Sequence, residues 1–221
     1  MYTPPHFTMK DETNSQKLMH THNFATLVSG SSSSTVASHL PLMWTNKGGK
    51  HGTLHGHMAR ANPQWKHFED KREVLAIFLG NHTYISPNWY ASKPAVPTWN
   101  YSAVHAYGVP ILVENLDKIK DLLHQMVEHH DPDPGQAWPN TTSHSTLVDE
   151  MLSHIVAFDI PISTLQSKAK LSQNRPDLDR DQVMDVLRSS QATGAQEVAH
   201  DMSVLYTTPS SMWQKDLDDK S

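Results

Sequence analysis

HGTLHGHMARANPQW, His51 to Trp65, is the stretch from which the rest of the chain is read. Gly52 to Ala59 suits a strand, and the two-residue period of a strand puts His55 and His57 on one face. Asn62-Pro63 ends that run, because proline donates no amide hydrogen and restricts the residue before it. Arg60, Asn62 and Gln64 therefore fall on a loop at a strand end, where binding groups collect on a rigid scaffold. Three histidines, an arginine, an asparagine, a glutamine and an indole with little aliphatic material between them read as a site.

On the N-terminal side, FATLVS (Phe24 to Ser29) reads as a buried strand and VASHLPL (Val36 to Leu42) as its hairpin partner. Pro41 limits that partner's pairing, so it marks an edge or a place where another group approaches the backbone. The Gly/Ser stretch 30–34 is a plain connection, since no lysine follows it at phosphate-loop spacing. Asp11 to His22 forms a short helix capped by Asp11 or Asn14, and Asn46 to Lys50 supplies a turn.

On the C-terminal side, EVLAIFLG (Glu73 to Gly80) is the most apolar run and reads as a central strand, with Thr83 to Ser86 following after a turn at Asn81. The segment from Ser86 to Gly108 holds two tryptophans, three tyrosines and three prolines. It either binds rings, packs across a subunit boundary or fills a core. Leu116, Ile119, Leu122, Leu123, Met126 and Val127 recur at helical spacing behind Asn115, the cap of a helix to His130. A second helix from about Ser145 to His154 opens into a strand from Ile155 to Leu165, and the loop KAKLSQNRPD follows. Asp179 with Gln182 makes a capping-box-like start for a helix carrying Val183, Val186 and Leu187.

Seven or eight strands thus cluster early, with helices late and at the N-terminus and no strand–helix alternation. This predicts a mainly β protein with peripheral helices (α+β), an antiparallel barrel. A single domain spans 1–191, and the pattern then dissolves into a polar, weakly ordered tail, 192–221, despite Trp213.

Composition narrows the function. The net charge of −5 gives no electrostatic footprint for nucleic acid. With no cysteine, disulfides, thiolate nucleophiles and cysteine-ligated zinc are excluded. No basic segment precedes an apolar run at the start and no stretch is long enough to span a bilayer, which predicts a cytoplasmic protein with no membrane contact. Histidine, at 16 residues, nearly equals the 18 lysines plus arginines, but most histidines sit in polar surroundings.

A phosphorylated flat ring needs donors for its phosphate and an apolar or aromatic wall. Arg60 and Arg175 supply forks, Lys168 or Lys170 adds charge, and Asn62, Gln64, Ser172, Gln173 and Asn174 are uncharged partners. VASHLPL and the Trp99/Tyr101 segment supply walls.

The blocks MYTPPHF, FATLVS, ASHLPL, HGHMARANPQW, YISPNWYASKPAVPTWNYSAVHAYG and KAKLSQNR, in that order, resemble the PaiB family of FMN-binding split-barrel proteins, named as negative transcriptional regulators. The resemblance runs from residue 1 to about 190. It implies a six-stranded split β-barrel and a homodimer with FMN near the dimer interface. It also implies that His39, Leu40, Pro41 and Leu42 lie along the ring, while His57, Met58, Ala59, Arg60, Asn62 and Gln64 hold the ribityl phosphate. Trp99 and Lys170, Ser172, Gln173, Asn174 and Arg175 complete the implied site. The Ser-rich loop 31–34, the QSKAKLSQNR approach and the tail depart from the family pattern.

Three functions follow. The first is an FMN-binding regulator, its regulatory role and any DNA contact carried by the resemblance alone; no basic recognition helix is visible. The second is a flavin oxidoreductase, with His57 and His105 as candidates for proton transfer or for structural hydrogen bonds. The third, haem or metal binding through His51, His55 and His57, lacks a carboxylate at ligand spacing, so no metal ligand is predicted.

Overall fold

Alternation of apolar and polar residues builds most of this protein. The computed structural model describes residues 1–30, 34–133 and 150–207. In chain order these hold α1 (Glu12–Thr21), β1 (Phe24–Gly30), β2 (Thr35–Pro41), β3 (Met43–Thr45), β4 (Thr53–Ala59), β5 (Val74–Ile85), β6 (Thr98–Gly108), β7 (Ile111–Val113), α2 (Leu116–His130), β8 (Ile155–Lys170), α3 (Asp177–Ser189) and α4 (Ala195–Thr207). The strands form one eight-stranded sheet in the order β2-β1-β5-β6-β8-β4-β3, with β7 on β8. That path is not closed, and its registered pairs are antiparallel, as the early clustering of strands predicts.

The chain divides into two compact units, where the sequence reads as a single domain to 191. The first holds residues 1–18, 79–104 and 166–221, the second 19–78 and 105–165. In the second unit, β1 and β2 pair along their length from Phe24 opposite Pro41 to Gly30 opposite Thr35, the predicted hairpin. Its connecting residues 31–33 lie outside the described residues. β4 pairs with β8 from Thr53 opposite Pro161 to Ala59 opposite Ile155. Gly56 in β4 is required by close packing, since a Cβ there would meet Leu42 Cδ2 at 2.6 Å and Phe158 Cζ at 3.1 Å.

In the first unit a core forms around Ile85, Tyr90, Leu171, Val183, Leu187, Val198 and Met202. Burying such side chains contributes about 1.5–3 kcal/mol each.

Several boundaries differ from the sequence reading. β5 runs unbroken through Asn81: its amide donates to Asp201 at 3.0 Å, and a Cβ on Gly80 would meet Ser102 Oγ at 2.3 Å, so Gly80-Asn81 marks close packing and not a turn. β8 continues five residues beyond Leu165, because the N-terminal segment pairs with it through a Thr8–Lys168 bridge and a Met9 N–H to Ser167 O bond. α3 starts at Asp177 without a side-chain cap, and Asp179 is buried instead of capping. The polar tail expected from residue 192 is helical over Ala195–Thr207, where Ala195, Val198, Ala199 and Met202 are buried. Residues 208–221, with Trp213, lie outside the described residues, as does the start of the helix expected from Ser145. Asp11 does take the predicted capping role, accepting the Thr13 N–H at 2.9 Å, and Asn115 caps α2 by accepting from Lys118.

Candidate flavin site

The residues named from the sequence fall into two sets, one in each unit. In the second unit β2 carries His39, Leu40 and Pro41, and Leu42 follows. His39 is exposed and pairs with Thr26 Oγ1 at 3.0 Å, while Leu40 and Leu42 are core residues. On β4, Met58 is buried and Ala59 exposed.

The ARANPQ loop is tied down from within. Arg60 donates through Nε to Ser153 O and through a terminal nitrogen to Ile155 O, both at 2.8 Å. Asn62 accepts the Gln64 N–H at 3.0 Å, starting the 3-10 turn Pro63–Phe68, and donates to Ser38 Oγ at 2.8 Å. Gln64 is fully buried, and its amide nitrogen donates to Leu27 O at 2.9 Å and Ser29 Oγ at 3.2 Å. In this unit these side chains fasten the turn to β1, β2 and the start of β8.

Pro41 and His57 line a cavity of about 610 Å³, together with Leu123, Met126, Val127 and His130 of α2. Mostly apolar walls with a few polar groups are the usual composition of a site for a flat ring. His57 Nδ1 is buried without a hydrogen-bond partner, and His105 Nδ1 is as well. Burial lowers the pKa of both imidazoles, so both are neutral near pH 7. His130 is held by Asn23 at 3.1 Å.

The α2 wall was missed by sequence reasoning, although a signal existed. Ile119, Leu122 and Met126 suffice to pack the helix against Leu152 and Ala157. Leu123, which also packs against that cluster, and Val127 extend the apolar stripe to the cavity face.

In the first unit the KAKLSQNR segment is partly strand and partly a tight turn. Ser172 takes φ +69°, a region costly for any residue with a side chain, and Asn100 donates to its hydroxyl at 2.9 Å. Gln173 locks the same turn, accepting from Leu171 N at 2.7 Å and donating to Ala169 O at 2.6 Å. Asn174 is exposed. Lys170 donates to Thr98 Oγ1 and Trp99 O, both at 2.6 Å, and Arg175 lies over the Tyr90 ring at 4.3 Å. Trp99 is 53% exposed.

His55, from the histidine cluster, is engaged with Asp159 at 2.6 Å and Thr45 at 2.9 Å. Among the described residues no three His, Cys, Asp or Glu side chains are grouped to hold a metal ion. No described helix is long and apolar enough to cross a membrane.

Residues 1–164 match the family model described as "Putative FMN-binding domain". The chain is 35% identical over 201 residues to the protease synthase and sporulation protein PAI 2 of Bacillus subtilis, covering 90% of this chain and 95% of that protein. The chain belongs to the PaiB family. Another relative, an uncharacterized protein of Emericella nidulans, is 31% identical over 188 residues, covering 67% of this chain and 73% of the relative. Among solved structures, the FAD and heme binding protein from Mycobacterium smegmatis superposes with a TM-score of 0.60 at 13% identity, covering 84% and 82% of the two chains. The flavocytochrome Anf3 from Azotobacter vinelandii gives 0.59 at 10% identity, over 74% and 69%. The chain therefore has the split β-barrel fold, as the sequence predicts.

Proposed function

We propose that this PaiB-family protein binds FMN, works as a cytoplasmic homodimer, and acts as a negative regulator of transcription without itself gripping DNA. The observation that carries the cofactor is the match of residues 1–164 to an FMN-binding-domain model. The donor chemistry agrees with it. Each unit taken by itself holds suitable groups: the second a cavity with largely apolar walls, and the first the Lys170 ammonium on the carbonyl oxygen of half-exposed Trp99. When bound, FMN supplies a ring able to take up and return electrons. The chain's part is to bind and orient that ring. The site residues named from the sequence stand as candidates for this, Pro41 and His57 first among them because they line the cavity.

The regulatory role is supported by the similarity to the Bacillus sporulation protein. Direct DNA binding is disfavoured by the net charge of −5 and by α3, which carries four aspartates against two arginines. A flavin oxidoreductase is the second reading, favoured by the neutral, unpartnered imidazoles of His57 and His105, either of which is suited to accept a proton near neutral pH.

The visible spectrum of the purified protein tests the cofactor. A flavin band that saturates on adding FMN is the expected result. A Soret band on adding hemin, with no uptake of FMN, overturns it in favour of haem. Light scattering should give twice the chain mass. Consumption of a nicotinamide cofactor by the FMN-loaded protein selects the enzyme over the regulator, and a shift of promoter DNA at physiological salt would restore direct DNA binding.

A further inference from the structure

Three strands of the second unit bring a hydroxyl, an imidazole and a carboxylate together on the sheet face that carries His57. His55 stands two residues before His57 on β4, opposite Met43 of β3 and opposite Asp159 of β8. Thr45 lies two residues beyond Met43, so the period of the strand turns it to the same face. His55 Nδ1 is 2.6 Å from Asp159 Oδ1, and His55 Nε2 is 2.9 Å from Thr45 Oγ1. A carboxylate only accepts, so Nδ1 carries the ring proton. In the neutral imidazole Nε2 is then an acceptor, and the Thr45 hydroxyl donates to it.

This sequence of contacts turns a hydroxyl into a nucleophile: a base within hydrogen-bond reach of it, and the base oriented by a third group. Holding the strands together does not call for it, because β3, β4 and β8 are already paired along their backbones. The group is open to a small molecule, since the His55 and Asp159 side chains are 27% and 34% exposed and Thr45 is half-buried. Among the described residues β3 ends the sheet, so alternate backbone N–H groups along it point away from β4 and can receive a carbonyl oxygen. Ile111, opposite Asp159 on β7 and exposed, offers apolar surface beside the imidazole for a short chain.

We propose that Thr45, His55 and Asp159 form an acyl-transfer site that hydrolyses small carboxylic esters. Thr45 Oγ1 attacks the ester carbonyl carbon while its proton passes to His55 Nε2. The bond from that carbon to the alkoxy oxygen then breaks, and the departing alcohol takes the proton from Nε2, leaving the acyl group on Thr45. Water attacks this new ester with its proton received by the same nitrogen, and the carboxylic acid leaves as Thr45 recovers its hydrogen. Asp159 touches no reacting atom; it is a positioning residue that keeps the proton on Nδ1 and Nε2 free to accept. The reaction uses no flavin, so it stands or falls separately from the cofactor reading.

The full chain treated with 4-nitrophenyl acetate, quenched in acid and digested for peptide mass spectrometry, tests the site. Wild-type protein should release nitrophenol and carry an acetyl group on Thr45. Thr45→Val, which keeps the branched shape and loses the hydroxyl, should abolish both the label and the release above that of surface histidines, and Thr45→Ser should retain them. His55→Gln should slow acylation at least about a hundredfold, the scale of a lost general base. Asp159→Asn should slow it at least about tenfold, and Asp159→Glu should restore most of the rate, which a merely structural carboxylate would not do. Release that Thr45→Val abolishes without a trapped acetyl group also supports the site, the second step then being the faster. Release unchanged in Thr45→Val, or a Thr45 label that forms equally fast in His55→Gln, overturns it. If His55→Gln does not fold, as read by circular dichroism, the comparison of Thr45→Val with Thr45→Ser decides.

Discussion

Asp179 sits where burial alone would raise its pKa, yet hydrogen bonds from Ser92 and Ala91 and the nearby Arg175 charge outweigh that and hold it below the ordinary carboxylate value. Its stabilising contribution is therefore present above the unfolded-state value of about 3.9 and is lost as pH falls through the lower, folded value. Asp179→Asn should destabilise the protein by about 1–3 kcal/mol at neutral pH, and the loss should shrink in acid. Urea melts at several pH values check this, and a deficit that stays constant down to pH 2 rules the account out. From the sequence Asp179 read as a helix cap, because a capping box is a local pattern. Its partner Ser92 lies 87 residues away, and no local pattern shows such a tie. Arg60, Asn62 and Gln64 were legible as chemistry-bearing residues for the opposite reason: they are polar side chains crowded beside a strand end. That reading could not see that Leu27, Ser38 and Ser153 would engage them.

Among the elements, α4 carries more structural weight than its sequence announces. Its residues read as a polar tail because Gln196, Glu197, His200 and Asp201 interrupt the apolar ones, yet Val198, Ala199 and Met202 occupy one face and are buried against α3 and the end of β5. Met202→Ala should cost about 2–5 kcal/mol, as expected for a truncated core side chain. Removing residues from 192 onward should expose that core and lower the melting temperature sharply. A truncated chain as stable as the full one would show that α4 is dispensable. Elements whose pattern is short-ranged were read well: β1, β2, β4, the start of β8 and the helices α1 and α2 fall within a residue or two of expectation. The extension of β8 was not visible because it depends on the N-terminal segment pairing beside it.

At the scale of the molecule, pH should act through His57 and His105. Burial lowers both pKa values, so below the unfolded reference of about 6.5 the unfolded chain takes up protons before the folded one. Stability should fall as pH drops from 6.5, and replacing both histidines by glutamine should flatten that slope; an unaltered slope assigns it elsewhere. The fold class was legible because the order of strands and helices is written along the chain. Trp99 adds an optical consequence. Its indole is half exposed, lies 6.3 Å from the His82 ring and 6.2 Å from the Tyr84 ring, and its carbonyl oxygen receives the Lys170 ammonium. Anything that draws Lys170 away from that oxygen changes the electric field at the indole, so the emission colour of one residue should report occupancy without any added dye. Trp99→Phe should abolish that colour shift while leaving the emission of the other five tryptophans in place.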